Sequence, residues 1–97
     1  MSGRLVIPSG RLTGAGVAIG DAARIGSAPD ADVRVDAPGI LPLHASLAKA
    51  GDRMELVDES QGAGGGTSVN GRRISREILQ HLDVITVGAT DLIFLSA

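Results

Sequence analysis

At 97 residues the chain is the size of one domain, so a single unit over residues 1–97 is expected, with room for a modest core and no need of a staple. It has no Cys, and nine Lys and Arg against eleven Asp and Glu give a net charge of −2, which excludes disulfides and thiolate metal sites and leaves no basic run for nucleic acid. Apolar stretches stay far short of the ~20 residues of a membrane span and no signal-peptide pattern opens the chain, so a soluble cytoplasmic domain is expected.

In chain order the predicted strands are Arg4–Pro8, Val17–Ile19, Ala23–Ile25, Val33–Val35, Ala45–Ala50, Arg53–Asp58, Thr67–Val69, Arg72–Ile74, Val84–Val87 and Asp91–Leu95. Turn residues separate them at Ser9-Gly10, Ser27–Asp30, Gly51-Asp52 and Asn70-Gly71. Gly51-Asp52 and Asn70-Gly71 read as tight hairpins, Asn-Gly being the strongest two-residue hairpin signal. Along Arg53–Asp58 the alternation puts Met54, Leu56 and Asp58 on one face and Arg53, Glu55 and Val57 on the other. Short strands with regular turn signals and no sustained helical period indicate an all-β sandwich. Ser75–Leu82 is read as a short turn or 3₁₀ piece between strands.

Few side chains point to chemistry. Phe94 is the only aromatic, which removes the usual stacking platforms for bases and the usual interface anchors. The Ser60–Thr67 loop, SQGAGGGT, has the glycines of an anion nest but lacks the Lys of a nucleotide-binding loop and leads into a strand. His44 and His81, with no Cys and no acidic residue at ligand spacing, make no metal signature, and no metal or other cofactor is expected. Ser46, His44 and Asp32 can be nominated as a triad, but no nucleophile turn or oxyanion hole accompanies them, so no enzymatic activity is expected. Arg72, Arg73 and Arg76 form a small basic patch of the kind usually found on a solvated hairpin face.

Several motifs stand in order: Ile25-Gly26-Ser27, Asp32-Val33-Arg34-Val35, Ile40-Leu41-Pro42-Leu43-His44-Ala45, then Asp58, Gly65-Gly66-Thr67, Val69-Asn70-Gly71, and the segment from Leu79 through Asp83 and Ile85 to Gly88. Their order and spacing over residues 23–95 resemble a forkhead-associated (FHA) domain. The resemblance implies an FHA-like β-sandwich of about ten or eleven short, mostly antiparallel strands. It also implies a family site that grips phosphothreonine peptides. On that site the position of the phosphate-binding Arg holds Ser27, that of the phosphate-bonding Ser holds Leu41, and the following cationic position holds Pro42. Gly65 stands where the family has the Asn that holds the peptide backbone, next to Gly66 and Thr67. Gly26, His44, Asn70 and Gly71 match the structural part of the motif, with the His bracing loops.

Charge-assisted hydrogen bonds to phosphate contribute about 1.5–3 kcal/mol each, and a micromolar complex has only about 8 kcal/mol in all. Losing two or three of them predicts that phosphopeptide binding is weak or absent. The resemblance places the apolar run 39–43 at the ligand-binding end, with Ile40 inward and Leu41 and Leu43 outward on a backbone stiffened by Pro42. The expectation is a non-catalytic protein–protein interaction module, independent of phosphorylation, of the sort found in bacterial signalling and secretion assemblies. Its candidate contacts are Ile40, Leu41, Leu43 and Arg72, and its partner is a protein rather than nucleic acid or membrane. Two alternatives remain: phosphothreonine binding through a pocket rebuilt from the 64–66 backbone, Thr67, Ser68 and Arg72, or a structural domain that self-associates through the loop tip.

Overall fold

The structure, a computed structural model, describes residues 3–7 and 15–96. Eleven strands occur among them: β1 Gly3–Ile7, β2 Ala15–Ile19, β3 Ala22–Gly26, β4 Val33–Arg34, β5 Ala45–Ala50, β6 Arg53–Asp58, β7 Thr67–Val69, β8 Arg72–Arg73, β9 Arg76–Ile78, β10 Val84–Val87 and β11 Thr90–Ser96. They form two sheets, one ordered β2-β1-β11-β10-β7-β8 and the other β4-β3-β5-β6-β9. Every pairing is antiparallel except β3 with β4. The all-β sandwich read from the sequence is the fold found. Pro8 and the Ser9-Gly10 turn signal lie outside the described residues.

Alternation explains which side chains meet between the sheets. Ala45 and Leu47 of β5, Met54 and Leu56 of β6, Val69 of β7, Ile85 and Val87 of β10, and Leu92 and Phe94 of β11 are all buried. With one aromatic in the chain, the core is aliphatic, and Phe94 lies wholly within it.

One element differs in type from its prediction. Residues 76–78, expected in a turn or 3₁₀ piece, form β9 on the edge of the second sheet, with Val57 opposite Arg76 and Glu55 opposite Ile78. Backbone bonds from Asp58 N–H to the Ser75 carbonyl and from Leu79 N–H to the Met54 carbonyl close both ends. The 3₁₀ turn lies instead at Ala63–Gly65, in the loop after β6.

The connections sort into two poles. The β3–β4, β4–β5, β6–β7 and β10–β11 loops meet at one end. The β5–β6 hairpin at Gly51-Asp52, the β7–β8 turn at Asn70-Gly71 and the β9–β10 turn lie at the other.

Candidate functional site at the loop end

The loop end is built by backbone meeting backbone. A Cβ on Gly26 would stand 2.0 Å from the Pro42 carbonyl oxygen, so only glycine lets β3 approach the 39–43 loop this closely. Ser27 N–H donates to the Leu41 carbonyl at 2.9 Å and the Ser27 hydroxyl to the Ile40 carbonyl at 3.2 Å. On the other flank a Cβ on Gly64 would fall 2.0 Å from the Gly39 carbonyl oxygen, and Gly64 has a φ of 62° that suits glycine. Gly88 closes the stack, bonded through its N–H to the Gly66 carbonyl and lying under Ile40.

His44 pins the two large loops together from within. It is fully buried; Nδ1 accepts from Leu41 N–H at 3.2 Å, and Nε2 lies 2.8 Å from the Gly66 carbonyl oxygen. A carbonyl only accepts and the Leu41 amide only donates, so the ring is the neutral tautomer with its proton on Nε2.

Asp58, at the end of β6, organises the glycine-rich loop. Its Oδ1 accepts from the Thr67 hydroxyl at 2.8 Å, the Ser60 hydroxyl at 2.6 Å and Ser60 N–H at 3.1 Å. Burial opposes the charge, but these hydrogen bonds outweigh it and hold the carboxyl below its ordinary value. A carboxyl depressed in the folded state stabilises fully above its unfolded value, about pH 4, and that contribution disappears as pH falls through the lower folded value. Thermal melts below about pH 4 should therefore show the parent losing stability more steeply than Asp58→Asn. Parallel acid limbs would remove Asp58 from the acid response.

A family model, the FHA domain, matches residues 23–88, two thirds of the chain. The chain belongs to the FHA family. Solved FHA domains overlay its whole fold. One studied for phosphothreonine-dependent interactions has a TM-score of 0.88 at 24% identity, covering 100% of this chain and 98% of its own. The FHA domain of CT664 from Chlamydia trachomatis gives 0.87 at 22% identity, covering 100% and 99%. That of FhaA, in complex with the intracellular domain of Rv3910, gives 0.84 at 25% identity, covering 95% and 98%. Comparison with curated protein sequences returns no match.

On this FHA frame Ser27, Leu41, Pro42 and residues 65–67 stand at the loop end, whereas Arg72 flanks the far-pole turn, and few of them are free to act. Thr67 is fully buried with its hydroxyl on Asp58, and Gly66 is buried with its carbonyl facing His44. Ile40, expected both to point inward and to touch a partner, is only 8% exposed and sits in the core, so it is no contact residue. Leu41, expected outward, is half-buried, because its backbone is tied to Ser27 and His44. Pro42 and Leu43 are exposed, Leu43 at 42%. They border a shallow cleft of about 100 Å³ with Ala28, Ala31 and the exposed Arg24–Asp30 pair.

Gly65 is exposed in the 3₁₀ turn, and Arg72 is bound to Glu77 at 2.9 Å on the sheet edge. Asn70 and Gly71 make the β7–β8 turn at the far pole, where the Asn70 amide donates to Asp83 and its oxygen accepts from Val84 N–H. The nominated triad is not assembled: Ser46 donates to Glu59, Asp32 accepts from Arg24 N–H, and both His44 nitrogens are engaged.

Two cations stand closer to this end than the sequence implied. Arg34 donates from Nε to the Ser27 carbonyl at 3.3 Å, and Arg73 reaches the Gly62 carbonyl at 2.9 Å and lies against Gly66. The resemblance drew attention to the position where Ser27 replaces the family's Arg, and nothing in the linear order said that Arg34 leans toward it while Arg73 leans on the glycine-rich loop.

Proposed function

We propose that this FHA domain is a non-catalytic protein–protein interaction module that engages its partner without phosphate, through the tip of the 39–43 loop. The observation that carries the reading is the state of the hydroxyl donors at the loop end. Ser27 gives its proton to Ile40 and Thr67 gives its proton to Asp58, while Leu41, Pro42 and Gly65 have no side-chain donor to offer. A phosphate arriving there would lose water and gain little, at a cost of the order of 2 kcal/mol for each oxygen left unmatched. Pro42 and Leu43 present apolar surface at the same place, which favours a protein contact. The FhaA FHA domain, in complex with the intracellular domain of Rv3910, offers a precedent for a protein partner. This reading takes residues 1–97 as one cytoplasmic, non-catalytic domain; the Ser46, His44 and Asp32 side chains are each bonded elsewhere.

Phosphothreonine binding through a rebuilt pocket is the second reading, favoured by Arg34, whose exposed guanidinium stands beside Ser27. An NMR amide titration of labelled protein with phosphothreonine and matched unphosphorylated peptide libraries separates the two. No phosphate-specific shift at Ser27, Leu41 or residues 65–68 is expected. Such shifts, abolished by Arg34→Ala, would establish the second reading instead.

For the loop tip itself, Leu43→Asp should weaken binding of a protein partner isolated with this domain at least tenfold, measured by calorimetry, and leave the fold unchanged. A partner that binds the variant as tightly as the parent places the interface elsewhere.

A further inference from the structure

The pole opposite the loops carries a leucine that does nothing for its own fold. Leu82 has a φ of 74°, the left-handed region that bulky L-residues avoid, and the residue is 60% exposed, more than Leu43 or Ile78. The conformation is imposed from all sides. Leu82 N–H donates to the Phe94 carbonyl at 2.7 Å, Asp83 N–H to the Gln80 carbonyl at 3.0 Å, and Gln80 N–H to the Asp83 carboxylate at 2.8 Å. Asp83 is in turn held by the Asn70 amide at 2.9 Å. A turn fixed this firmly calls for glycine, and a leucine there bears both a strained backbone and an apolar side chain in water.

Beside this turn lies a cavity of about 500 Å³ between the two sheets. Its floor is Met54, Leu79 and Phe94, buried and apolar, and its rim includes Asp52, Arg53 and His81, the residue preceding Leu82. A projecting aliphatic group and an open cleft with an apolar floor and a polar rim, which Gln80 and Ser96 complete, therefore sit side by side on one surface.

We propose that this pole is a self-association surface, in which Leu82 of each copy enters the cavity of a second copy across a two-fold axis. A two-fold interface requires one patch to be complementary to itself, which a knob adjoining its own socket provides. The rim charges fit the same operator. Asp52 and Arg53 are adjacent, exposed and of opposite sign, 4.0 Å from each other within one copy, so an axis passing between the two rims would set Asp52 of one copy against Arg53 of the other. The surface is remote from the 39–43 loop, and the inference does not depend on the partner or phosphate dependence assigned to that loop.

Sedimentation equilibrium of the 97-residue chain, joined to thermal melts at concentrations where it is monomeric, tests the proposal. The parent should show a concentration-dependent monomer–dimer equilibrium, and Leu82→Gly should raise the dissociation constant at least tenfold. The same substitution should raise the monomer Tm by about 2–6 °C, because relieved strain exceeds the chain entropy that glycine adds. Leu82→Asn, which also tolerates a positive φ, should likewise dissociate the dimer. Asp52→Arg should weaken association, and adding Arg53→Asp should restore it. A parent that stays monomeric to millimolar concentration overturns the proposal. So does a Leu82→Gly variant that dimerises as tightly as the parent or melts lower, or a dimer lost through Leu43→Asp but not through Leu82→Gly.

Discussion

Gly26→Ala should destabilise the domain by about 3 kcal/mol or more, among the most severe effects of any single methyl addition in this chain. The added Cβ would lie 2.0 Å from the Pro42 oxygen, 2.6 Å from its carbon and 2.9 Å from the Leu41 oxygen. All three are backbone atoms, so no rotamer change relieves the clash. Nor can the backbone step aside cheaply, because Ser27 N–H to Leu41, Ala28 N–H to Pro42 and His44 N–H to Ile25 hold the two segments together on both sides of the contact. Either those bonds break or the parallel β3–β4 pairing does. Urea unfolding measures the loss, with Gly20→Ala as the control: nothing lies within 4 Å of the Cβ that it adds, and it should change stability by less than about 0.5 kcal/mol. A Gly26→Ala variant within about 1 kcal/mol of the parent would mean that β3 and the 39–43 loop are not in backbone contact.

Removing the His44 ring is the second large effect. His44→Ala should cost about 3–5 kcal/mol, from a cavity in a fully buried position, from a half-buried Leu41 N–H left without its acceptor, and from a Gly66 C=O left with only its long bond from Gly88 N–H. The loss has a local signature as well. Leu41 N–H should exchange with solvent far faster in the variant, while amides of β10 and β11 slow or quicken only with global stability. His44→Gln, which retains one donor and one acceptor on a side chain of similar reach, should recover part of both effects. If His44→Ala does not fold, His44→Leu, which fills the space without an acceptor, still decides: Leu41 protection equal to the parent's would show that the ring does not tie that amide.

The sandwich was legible because its strands alternate and their ends carry strong turn residues. Met54 and Leu56 in β6 and the Asn70-Gly71 turn needed no tertiary knowledge. β9 was not legible. Arg76 and Ile78 are both exposed and Glu77 is half-buried, so an edge strand with one neighbour leaves no apolar period to read. At the loop end, the resemblance carried by Gly26, His44 and Thr67 pointed to the candidate site and to the substitutions within it. What each hydroxyl donates to was hidden, since Ser27 reaches Ile40 over thirteen residues and Thr67 reaches back nine to Asp58. The left-handed backbone at Leu82 was hidden for the same reason: it is set by Phe94, Gln80 and Asp83 together, not by any local preference of leucine.

The glycine stack at the loop end bears on how such a domain can acquire new partners. Gly39 touches Gly64, Gly64 approaches Gly88, and Gly88 lies under Ile40, so three connections from different parts of the chain share one backbone surface. A loop transplanted from a relative would bring its own backbone path and collide with two others that had not changed. New specificity is therefore open to side-chain replacement at Pro42 and Leu43 with the three glycines kept. Exchanging whole loops would require all of them to be exchanged at once.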